Sequence, residues 1–457
     1  MALHRMLLRR AAESRPIRVG LIGAGQLGAA FLAQALRAPG LHVMAVADRS
    51  VEQAWSGCMA AGWEAERCAA TSFAKAQAQG STFLTDDAEA LINAGGIELI
   101  VEATAQAAAG IRHALAAFRR GRHVVMANLQ ADALAGPLLA RRAGQARTVY
   151  TLAYGGVPAS LGEMVDWARA CGFPVVAAGR GTAYWPDRRK VDPATAWNEL
   201  GLTAEEASTR HLSLSTAVSA LDGTQAALEM ACSANAVGLD VAPSDLAYLP
   251  CAMADLPVRL LPKDAGGMLD AAGRVVAVSG RDVTGQLLPG GLGDGTFLVL
   301  EASSKGAGAA FSGCGLAVAP DGRHAALWRP CRLPGAEIAI SVASAVLRGE
   351  ATGTPGEFRA EVTTFAKRGL DAGETLDGEG GRCVYGRAMA AGEALARGYL
   401  PLGLAAGARL KTHIAVDHPI RWFDVDVDPQ GDIADILSFR HEMEKQFAGR
   451  TANTAAV

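Results

Sequence analysis

Six residues near the amino terminus have the spacing of a dinucleotide-binding loop. They read Gly23-Ala24-Gly25-Gln26-Leu27-Gly28, follow the aliphatic residues 17–22 and precede a segment with helical apolar periodicity. In such a loop the first glycine allows a tight turn, the second lets the backbone approach a pyrophosphate, and the third lets helix and strand pack closely. The free N–H groups at the start of the helix then face the phosphates. We therefore predict a Rossmann domain in which these six residues contact an NAD(P) cofactor.

The residues after the second predicted strand bear on the choice between NAD and NADP. Asp48 closes the strand of residues 41–47 and would accept hydrogen bonds from the adenosine ribose, which favours NAD. Arg49 follows at once, and an arginine there can bind a 2′-phosphate, which favours NADP. The alternative for Arg49 is an ordinary solvated surface side chain. We expect NADPH as the cofactor and keep NAD as the alternative.

Two later strand ends are expected to face the nicotinamide, because ligands bind at the carboxyl ends of parallel strands. Thr104 lies in Glu102-Ala103-Thr104-Ala105-Gln106 after the predicted strand of residues 97–101. Asn128 follows the predicted strand of residues 123–127. We predict that Thr104 and Asn128 contact the cofactor, with helix capping as the alternative for both.

A second group of polar residues lies on a helix predicted over residues 223–236. Asp222, Gln225 and Glu229 are spaced i, i+3 and i+7, which places them on one stripe among small and apolar neighbours. A carboxylate in such a setting can relay a proton or bind a cation. We predict catalytic roles for Asp222 and Glu229. The alternative is that Asp222 caps the helix with Gln225 as its partner, while Glu229 faces solvent.

Reduction of a carbonyl also needs a proton donor or cation near the forming alkoxide. Lys190 is a catalytic candidate for this purpose, and a surface position is its alternative. It belongs to a basic group with Arg180, Arg188 and Arg189 around Trp185. This group could hold a phosphorylated or carboxylated substrate, or it could form a solvated loop.

Composition excludes several classes of protein. The 457 residues carry a formal net charge of -3, so no basic field points to nucleic acid or an anionic membrane. The eight cysteines form no C-x-x-C pair, which disfavours zinc ribbons and favours a reduced, cytoplasmic protein. The sequence contains no uninterrupted apolar run of about 20 residues, so we predict no membrane span. We expect a small-molecule enzyme whose basic first 15 residues form a short leading helix.

The order of predicted elements indicates an α/β protein. We predict a Rossmann domain with a doubly wound parallel sheet over residues 1–155 and a mixed α+β catalytic domain over 156–350. Short strands between Gly/Asp turns indicate a small β domain over 357–430, followed by a closing helix and tail over 431–457. Within these limits residues 137–146 are predicted as a helix, and Ile338-Ala339-Ile340 as strand-like.

The sequence resembles the homoserine-dehydrogenase-like oxidoreductases with a C-terminal SAF-type (β-clip) domain, and among them the deoxyxylulose-phosphate-reductoisomerase-like (DXR-like) family. The similar stretches run along most of the chain. They include residues 16–25, Asn128 with Ala131-Asp132 and Gly136-Pro137, Asp222-Gly223, Glu229-Met230-Ala231, Asn235-Ala236, Gly238-Leu239, Gly266-Gly267, Arg329-Pro330, Glu361-Val362, Ala366-Lys367, Gly373-Glu374, residues 376–378, residues 400–404 and Arg409-Leu410-Lys411.

The resemblance implies an NADPH-dependent homodimer of three domains. It implies conversion of 1-deoxy-D-xylulose 5-phosphate to 2-C-methyl-D-erythritol 4-phosphate, a step of isoprenoid biosynthesis, aided by Mg²⁺ or Mn²⁺ with Glu229 as the metal ligand. It adds Asn235 to the predicted catalytic residues beside Asp222 and Glu229.

The sequence departs from the family pattern on the substrate side. The family's acidic step is Gly155-Gly156 here, its lysine-bearing stretch is Gly179-Arg180-Gly181-Thr182, and its histidine after Arg329-Pro330 is Arg332. These changes keep open a paralogous dehydrogenase acting on another hydroxy acid or aldehyde. They also keep open a nucleotide-binding sensor or assembly protein that has lost catalysis.

Overall fold

A computed structural model describes residues 2–209, 212–243, 247–428 and 432–451. The α-helices in this part of the chain are α1 (Leu3–Ala12), α2 (Gln26–Ala35), α3 (Val51–Ala60), α4 (Phe73–Gln79), α5 (Ala88–Asn93), α6 (Ala107–Arg119), α7 (Leu129–Gln145), α8 (Val157–Ala170), α9 (Ala196–Glu199), α10 (Ala204–Thr209), α11 (Leu214–Leu221), α12 (Thr224–Val237), α13 (Leu256–Arg259), α14 (Lys305–Gly313), α15 (Ile338–Arg348), α16 (Ala391–Ala396) and α17 (Asp432–Thr451).

The strands alternate with helices in the first third of the chain and cluster with turns further on. They are β1 (Ile17–Ile22), β2 (Leu41–Ala47), β3 (Phe83–Thr85), β4 (Leu99–Glu102), β5 (His123–Met126), β6 (Tyr150–Leu152), β7 (Val175–Thr182), β8 (Asp240–Val241), β9 (Leu249–Pro250), β10 (Arg274–Ser279), β11 (Gly295–Glu301), β12 (Ala317–Val318), β13 (His324–Arg329), β14 (Ala360–Ala366), β15 (Val384–Ala390), β16 (Arg409–Leu410) and β17 (Val425–Asp426).

The first sheet is a parallel, doubly wound Rossmann sheet, as the glycine loop and the strand spacing predicted. Its strand order is β3-β2-β1-β4-β5-β6, with every neighbouring pair parallel. This order reverses direction between β1 and β4, which creates the crevice in which such folds bind dinucleotides. The central strands are almost wholly apolar because helices cover both faces of the sheet.

The second sheet is mixed. Its strand order is β12-β13-β11-β7-β10-β8, with β9 also pairing with β10. Strand β10 runs parallel to β7, whereas β11 runs antiparallel to both β7 and β13. Phe297 and Val299 on β11 and Val276 and Val278 on β10 are buried in one apolar cluster with Leu256 of α13. The catalytic region is therefore the mixed α+β structure that the sequence predicted.

The C-terminal region contains a long antiparallel hairpin. Strands β14 and β15 pair over their full length, from Ala360 opposite Ala390 to Ala366 opposite Val384. Both strands pack against helix α12. The Gly386 N–H donates to the Thr224 hydroxyl over 2.9 Å, which fixes the hairpin to the first turn of that helix. This contact brings distant parts of the sequence to the same place.

The chain divides into two compact units. The first unit comprises Met1–Ala159, Glu206–Ser213 and Leu333–Thr354; the second comprises Ser160–Glu205, Leu214–Arg332 and Pro355–Val457. Residues 333–354 thus belong to the first unit, and the domain limits at 155 and 350 given by the sequence analysis stay predictions. The hairpin region belongs to the second unit, and a separate SAF-type domain over 357–430 stays a prediction.

Two elements differ from the sequence-based prediction. Ile338-Ala339-Ile340, predicted as strand-like, opens helix α15, in which Ile338, Val342 and Ala345 are buried with helical spacing. Helix α7 begins at Leu129 and not at Pro137, so the proline lies inside it. In both cases burial of a helical face overrides a local signal, the β-branched pair or the proline. No helix in the described ranges is long and apolar enough to span a membrane.

Phe297 on the central strand β11 provides a test of the apolar core of the second sheet. Phe297 is fully buried, whereas Phe423 is 65% exposed. We expect Phe297→Ala to lower the free energy of unfolding by about 3–5 kcal/mol through lost burial and a cavity. The matched control, Phe423→Ala, should change it by no more than about 0.5 kcal/mol. Chemical denaturation measures both, and equal effects would contradict this packing.

Candidate active site

The glycine loop has the geometry that a dinucleotide requires. Gly23 adopts φ +96°, and a Cβ there would lie 2.7 Å from the carbonyl of Ala103. A Cβ on Gly28 would overlap the carbonyl oxygen of Gly23. At Gly25 the space is open, with no atom within 4 Å of a Cβ position, and no side chain caps the helix that follows. The exposed backbone at Gly25 and the first amides of α2 therefore form a cradle that fits a pyrophosphate.

Asp48 holds this loop from the end of β2. Its Oδ2 accepts a 2.7 Å hydrogen bond from the Ala24 N–H, and its Oδ1 accepts one of 2.7 Å from the Arg49 N–H. The carboxylate therefore fixes the glycine loop as well as lying at the position predicted for ribose recognition. The Arg49 side chain is exposed and donates only a long 3.3 Å bond to Gln53 among the described contacts. That guanidinium retains most of its donors for a ligand.

Thr104 and Asn128 lie together, and their side chains bind protein groups. Asn128 caps α7, because its Oδ1 accepts from the Ala131 N–H over 3.0 Å. Its Nδ2 donates to the Gln106 carbonyl over 2.9 Å and to the Thr104 hydroxyl over 3.2 Å. The capping alternative is thus observed for Asn128. A direct cofactor contact by either side chain stays a prediction.

The second unit contains a buried ion pair that the sequence analysis did not identify. The Lys367 Nζ lies 2.7 Å from Asp222 Oδ2, with exposed side-chain fractions of 3% and 0%. Asp222 Oδ1 accepts from the Thr224 N–H over 2.8 Å, and Lys367 also donates to the Gly381 carbonyl over 2.8 Å. Burial raises the pKa of Asp222 above its ordinary value, although the charge of Lys367 opposes that shift. Asp222 therefore does not pair with Gln225 as a capping box.

Two phenols stand near this ion pair. The Tyr184 and Tyr248 rings are 4.2 Å apart between centroids, and the Tyr248 O–H donates to the Gly223 carbonyl over 2.5 Å. Burial raises the pKa of Tyr184 to about 12, an effect that the nearby Arg189 opposes. Burial also raises the pKa of Tyr248. Both phenols therefore remain protonated hydrogen-bond donors at neutral pH.

Glu229 is buried between two arginines. Its carboxylate forms an ion pair with the Arg180 guanidinium, and the Arg332 Nη2 lies 3.6 Å from its Oε1. Both arginines also contact Asp294, at 2.7 and 2.9 Å. Burial disfavours the charge on Arg180, but Glu229 and Asp294 outweigh this and raise its pKa. The alternative in which Glu229 faces solvent is wrong, because only 3% of its side chain is exposed.

This arrangement does not fit the predicted divalent cation. Two guanidiniums already neutralise the Glu229 carboxylate, and a metal ligand needs that charge for the ion. The described residues contain no group of three or more His, Cys, Asp or Glu side chains that could hold a metal. Arg180 and Arg332 are two of the three departures from the DXR-like pattern, so both altered positions converge on the predicted metal ligand.

The other two predicted catalytic residues occupy different settings. Asn235 is buried, and its Oδ1 accepts from the N–H groups of Arg359 and Ala360 at 2.8 and 2.9 Å. It thereby anchors the start of β14. Lys190 is exposed at the end of a short 3-10 turn. The structure thus brings neither side chain to the Asp222–Lys367 pair.

The predicted basic group separates in the structure. Arg188 alone of the four cations stacks on Trp185, 3.9 Å from the ring centroid, and Arg281 lies over the same ring at 5.2 Å. Arg189 instead pairs with Asp417 at 3.1 Å. Arg281 and Lys367 are the residues that the sequence analysis missed as site candidates. The Ala366-Lys367 resemblance was the only local signal for the lysine, and Arg281 has none.

Two family models match consecutive regions of the chain. The family model described as "Homoserine dehydrogenase, NAD binding domain" matches residues 23–150. The model described as "Oxidoreductase DRL, catalytic domain" matches residues 155–338. No curated protein sequence matches the chain. The second match ends before Lys367, so that residue lies outside both matched regions.

The solved structures that match the chain are distant in sequence. Biliverdin reductase from Synechocystis sp. PCC 6803 is 18% identical with a TM-score of 0.26, and the match covers 36% of this chain and 47% of that chain, about half its length. A putative myo-inositol dehydrogenase from Sinorhizobium meliloti 1021 is 12% identical, with a TM-score of 0.36 and coverage of 73% and 90%. A probable dehydrogenase from Thermotoga maritima is 12% identical, with a TM-score of 0.39 and coverage of 74% and 91%.

The two family matches and the glycine loop indicate the same function. The first unit contains a nicotinamide dinucleotide-binding domain, and the region after it matches an oxidoreductase catalytic domain. The chain is an NAD(P)-dependent oxidoreductase.

Gly28 gives a direct test of the cofactor cradle. We expect Gly28→Ala to weaken NADPH binding by at least about tenfold, because the new methyl group displaces the Gly23 carbonyl and so the loop. Gly144→Ala is the matched control, since Gly144 lies in helix α7 with open space around its Cβ position. Fluorescence titration with NADPH measures both dissociation constants. Wild-type affinity in the Gly28 variant would show that the loop does not hold the cofactor.

Proposed function

We propose that this oxidoreductase uses NADPH to reduce a small anionic carbonyl compound, with Lys367 as the proton donor. The observation that carries the proposal is the buried Lys367–Asp222 pair. An ammonium has three N–H donors, and the described residues supply acceptors for two of them, Asp222 and Gly381. The third N–H is thus available for a substrate oxygen.

The chemistry follows from the placement of charge. Bound NADPH supplies a hydride to the carbonyl carbon. Lys367 stabilises the negative charge that develops on the carbonyl oxygen and transfers a proton to it. Asp222 holds the ammonium in place, and near-complete burial strengthens these interactions by excluding water. The Tyr184 phenol adds a protonated donor close to the pair, whereas the Tyr248 O–H donates to the Gly223 carbonyl.

The anionic nature of the substrate is supported by Trp185 and its two arginines. Arg188 and Arg281 both lie over the indole ring, and the nearest carboxylate paired with either in the described residues is Glu199, 3.8 Å from Arg188 Nε. Burial and the neighbouring Arg281 lower the pKa of Arg188, against Glu199. Carboxylates of the described residues therefore neutralise the positive charges of Arg188 and Arg281 only in part. Such guanidiniums are suited to bind a phosphate or carboxylate group.

The sharpest form of the proposal concerns 1-deoxy-D-xylulose 5-phosphate. The resemblance to DXR-like enzymes favours this phosphorylated ketone, with rearrangement to 2-C-methyl-D-erythritol 4-phosphate and a homodimeric enzyme. The two arginines at Glu229 instead favour a related phosphorylated aldehyde, ketone or hydroxy acid. Because Glu229 does not fit a cation, the proposed reduction uses no metal. Reductoisomerisation that requires Mg²⁺ or Mn²⁺ would contradict the proposal of a metal-free reaction.

The proposal is tested by NADPH oxidation with purified protein. Deoxyxylulose phosphate and a panel of small phosphorylated or carboxylated aldehydes and ketones serve as substrates, each with EDTA and with added Mg²⁺ or Mn²⁺. We expect turnover of an anionic substrate at the same rate in EDTA. Failure of the whole panel at high enzyme concentration, or strict metal dependence, would contradict the proposal.

Replacing Lys367 separates catalysis from binding. We expect Lys367→Met to lower kcat by about 10²–10⁴-fold, because the proton donor and the charge on the alkoxide are lost. The dissociation constant of NADPH should stay unchanged. Glu361→Gln is the control, since it alters another buried ion pair of the second unit, that with Arg440. Wild-type kcat in the lysine variant would contradict the proposed role.

Arg49 is expected to set the preference for NADPH. Loss of a hydrogen bond to a charged group costs about 1.5–3 kcal/mol, so Arg49→Ala should raise the KM for NADPH by about tenfold or more. The KM for NADH should not change, because NADH lacks the 2′-phosphate. Arg37→Ala, another exposed arginine of the first unit, is the control. An equal rise in KM for both cofactors would argue against recognition of the 2′-phosphate.

A further inference from the structure

Glu102 is a buried carboxylate at the edge of the cofactor sheet. It ends β4, is 0% exposed, and pairs in register with Ile22 of β1 on one side and Met126 of β5 on the other. The glycine loop follows β1 directly. Glu102 therefore lies at the carboxyl edge of the sheet beside the crevice where the strand order reverses.

A directed chain of hydrogen bonds begins at this carboxylate. The Thr104 O–H lies 2.5 Å from Glu102 Oε1, and the Asn128 Nδ2 lies 3.2 Å from the Thr104 oxygen. The Thr104 hydroxyl donates to Glu102 and accepts from Asn128. The same amide nitrogen donates to the Gln106 carbonyl over 2.9 Å. These hydrogen bonds therefore hold Thr104 and Gln106 within residues 103–106, which connect β4 to α6.

The buried Glu102 carboxylate has few partners that offset the cost of its burial. A residue that only stabilised the fold would not need such a carboxylate. The described ionisable neighbour of Glu102 is His113, with Nδ1 3.2 Å from Oε1 and 13% of the side chain exposed. The other oxygen, Oε2, is buried and has no hydrogen-bond partner in the described structure. Burying such an oxygen is costly, and an apolar residue would avoid the cost.

The helix that packs over this chain has a glycine at the point of contact. A Cβ on Gly110 of α6 would lie 2.7 Å from the Asn128 Nδ2 and 3.2 Å from Glu102 Oε2. Gly110 does not have a positive φ, so the backbone does not require glycine there. The absence of a side chain instead leaves room for the amide and the carboxylate.

We infer that Glu102 is a positioning residue that holds residues 103–106 against the nicotinamide half of the cofactor. Asp48 at the end of β2 marks the adenosine side of the glycine loop. The end of β4 lies on the opposite side of β1, where the second mononucleotide half binds. The inference rests on the proposed NADPH site and concerns neither the substrate nor Lys367.

The test compares two ligands in the absence of substrate. NADPH contains both halves of the dinucleotide, whereas 2′-phospho-ADP-ribose lacks the nicotinamide. We expect Glu102→Gln to weaken NADPH binding by about tenfold and to leave the affinity for 2′-phospho-ADP-ribose within twofold of wild type. Isothermal titration calorimetry measures both. General loosening of the fold would weaken both ligands together.

Second variants keep the test decisive if the glutamine variant is unstable. Thr104→Val removes the middle hydroxyl of the chain, and Gly110→Ala displaces the Asn128 amide; both should reproduce the selective loss. Asp132→Asn is the matched control, because Asp132 is a buried carboxylate of the same unit that accepts from the Tyr150 phenol over 2.7 Å. It should bind both ligands normally.

Three outcomes would overturn the inference. They are unchanged NADPH affinity in Thr104→Val and Glu102→Gln, equal loss of both ligands, and the same selective loss in Asp132→Asn. If 2′-phospho-ADP-ribose and NADPH both fail to bind the wild type, the proposed cofactor site itself fails. Failure to find a substrate would leave this result unaffected.

Discussion

The ion pair between Lys367 and Asp222 is the interaction on which the second unit depends. An unpaired charge in a fully buried position costs several kcal/mol, so each group requires the other. The pair joins Lys367, the residue after β14, to Asp222, two residues before helix α12, and it forms only because the β14–β15 hairpin packs on that helix. A hydrogen bond from the Gly386 N–H to the Thr224 side-chain hydroxyl secures the same contact. The proposed proton donor therefore lies in the contact that holds the C-terminal hairpin on helix α12.

The first unit meets a different constraint, the close approach of backbone at the glycine loop. Gly23 and Gly28 leave no room for side chains, while Gly25 leaves its surroundings open. Asp48 then fixes the loop through the Ala24 N–H. A pyrophosphate requires this combination of a tightly packed turn and an exposed backbone N–H surface. The glycine loop therefore lies in the first unit, and the buried Lys367–Asp222 pair lies in the second.

Much of the first unit could be predicted from sequence because its signals are local. Strand, glycine loop, helix and Asp48 occur within about 30 consecutive residues, the spacing of a βαβ unit. The mistaken strand at Ile338 shows the limit: its apolar pattern was too short to separate a strand from a helix buried along one face. Helix α7 shows another, since Pro137 resembles a first-turn proline but lies within the helix.

The candidate site was predicted only in part because its partners are distant in sequence. The stripe of small and apolar residues in α12 singled out Asp222 and Glu229, but no periodicity reveals that Lys367 pairs with one and Arg180 with the other. The metal assignment followed the resemblance and did not anticipate that the arginines at 180 and 332 would both contact Glu229. Lys190 was favoured for its neighbours in sequence, yet it is exposed.

The central claim is that a nicotinamide cofactor on this chain reduces a carbonyl compound. It is tested most directly with NADPH that carries deuterium at the transferable position of its nicotinamide ring. Mass spectrometry of the product after reaction with the phosphorylated carbonyl panel follows the label. The account predicts one deuterium on the former carbonyl carbon of one anionic product. NADPH binding without deuterium transfer to any compound would contradict it.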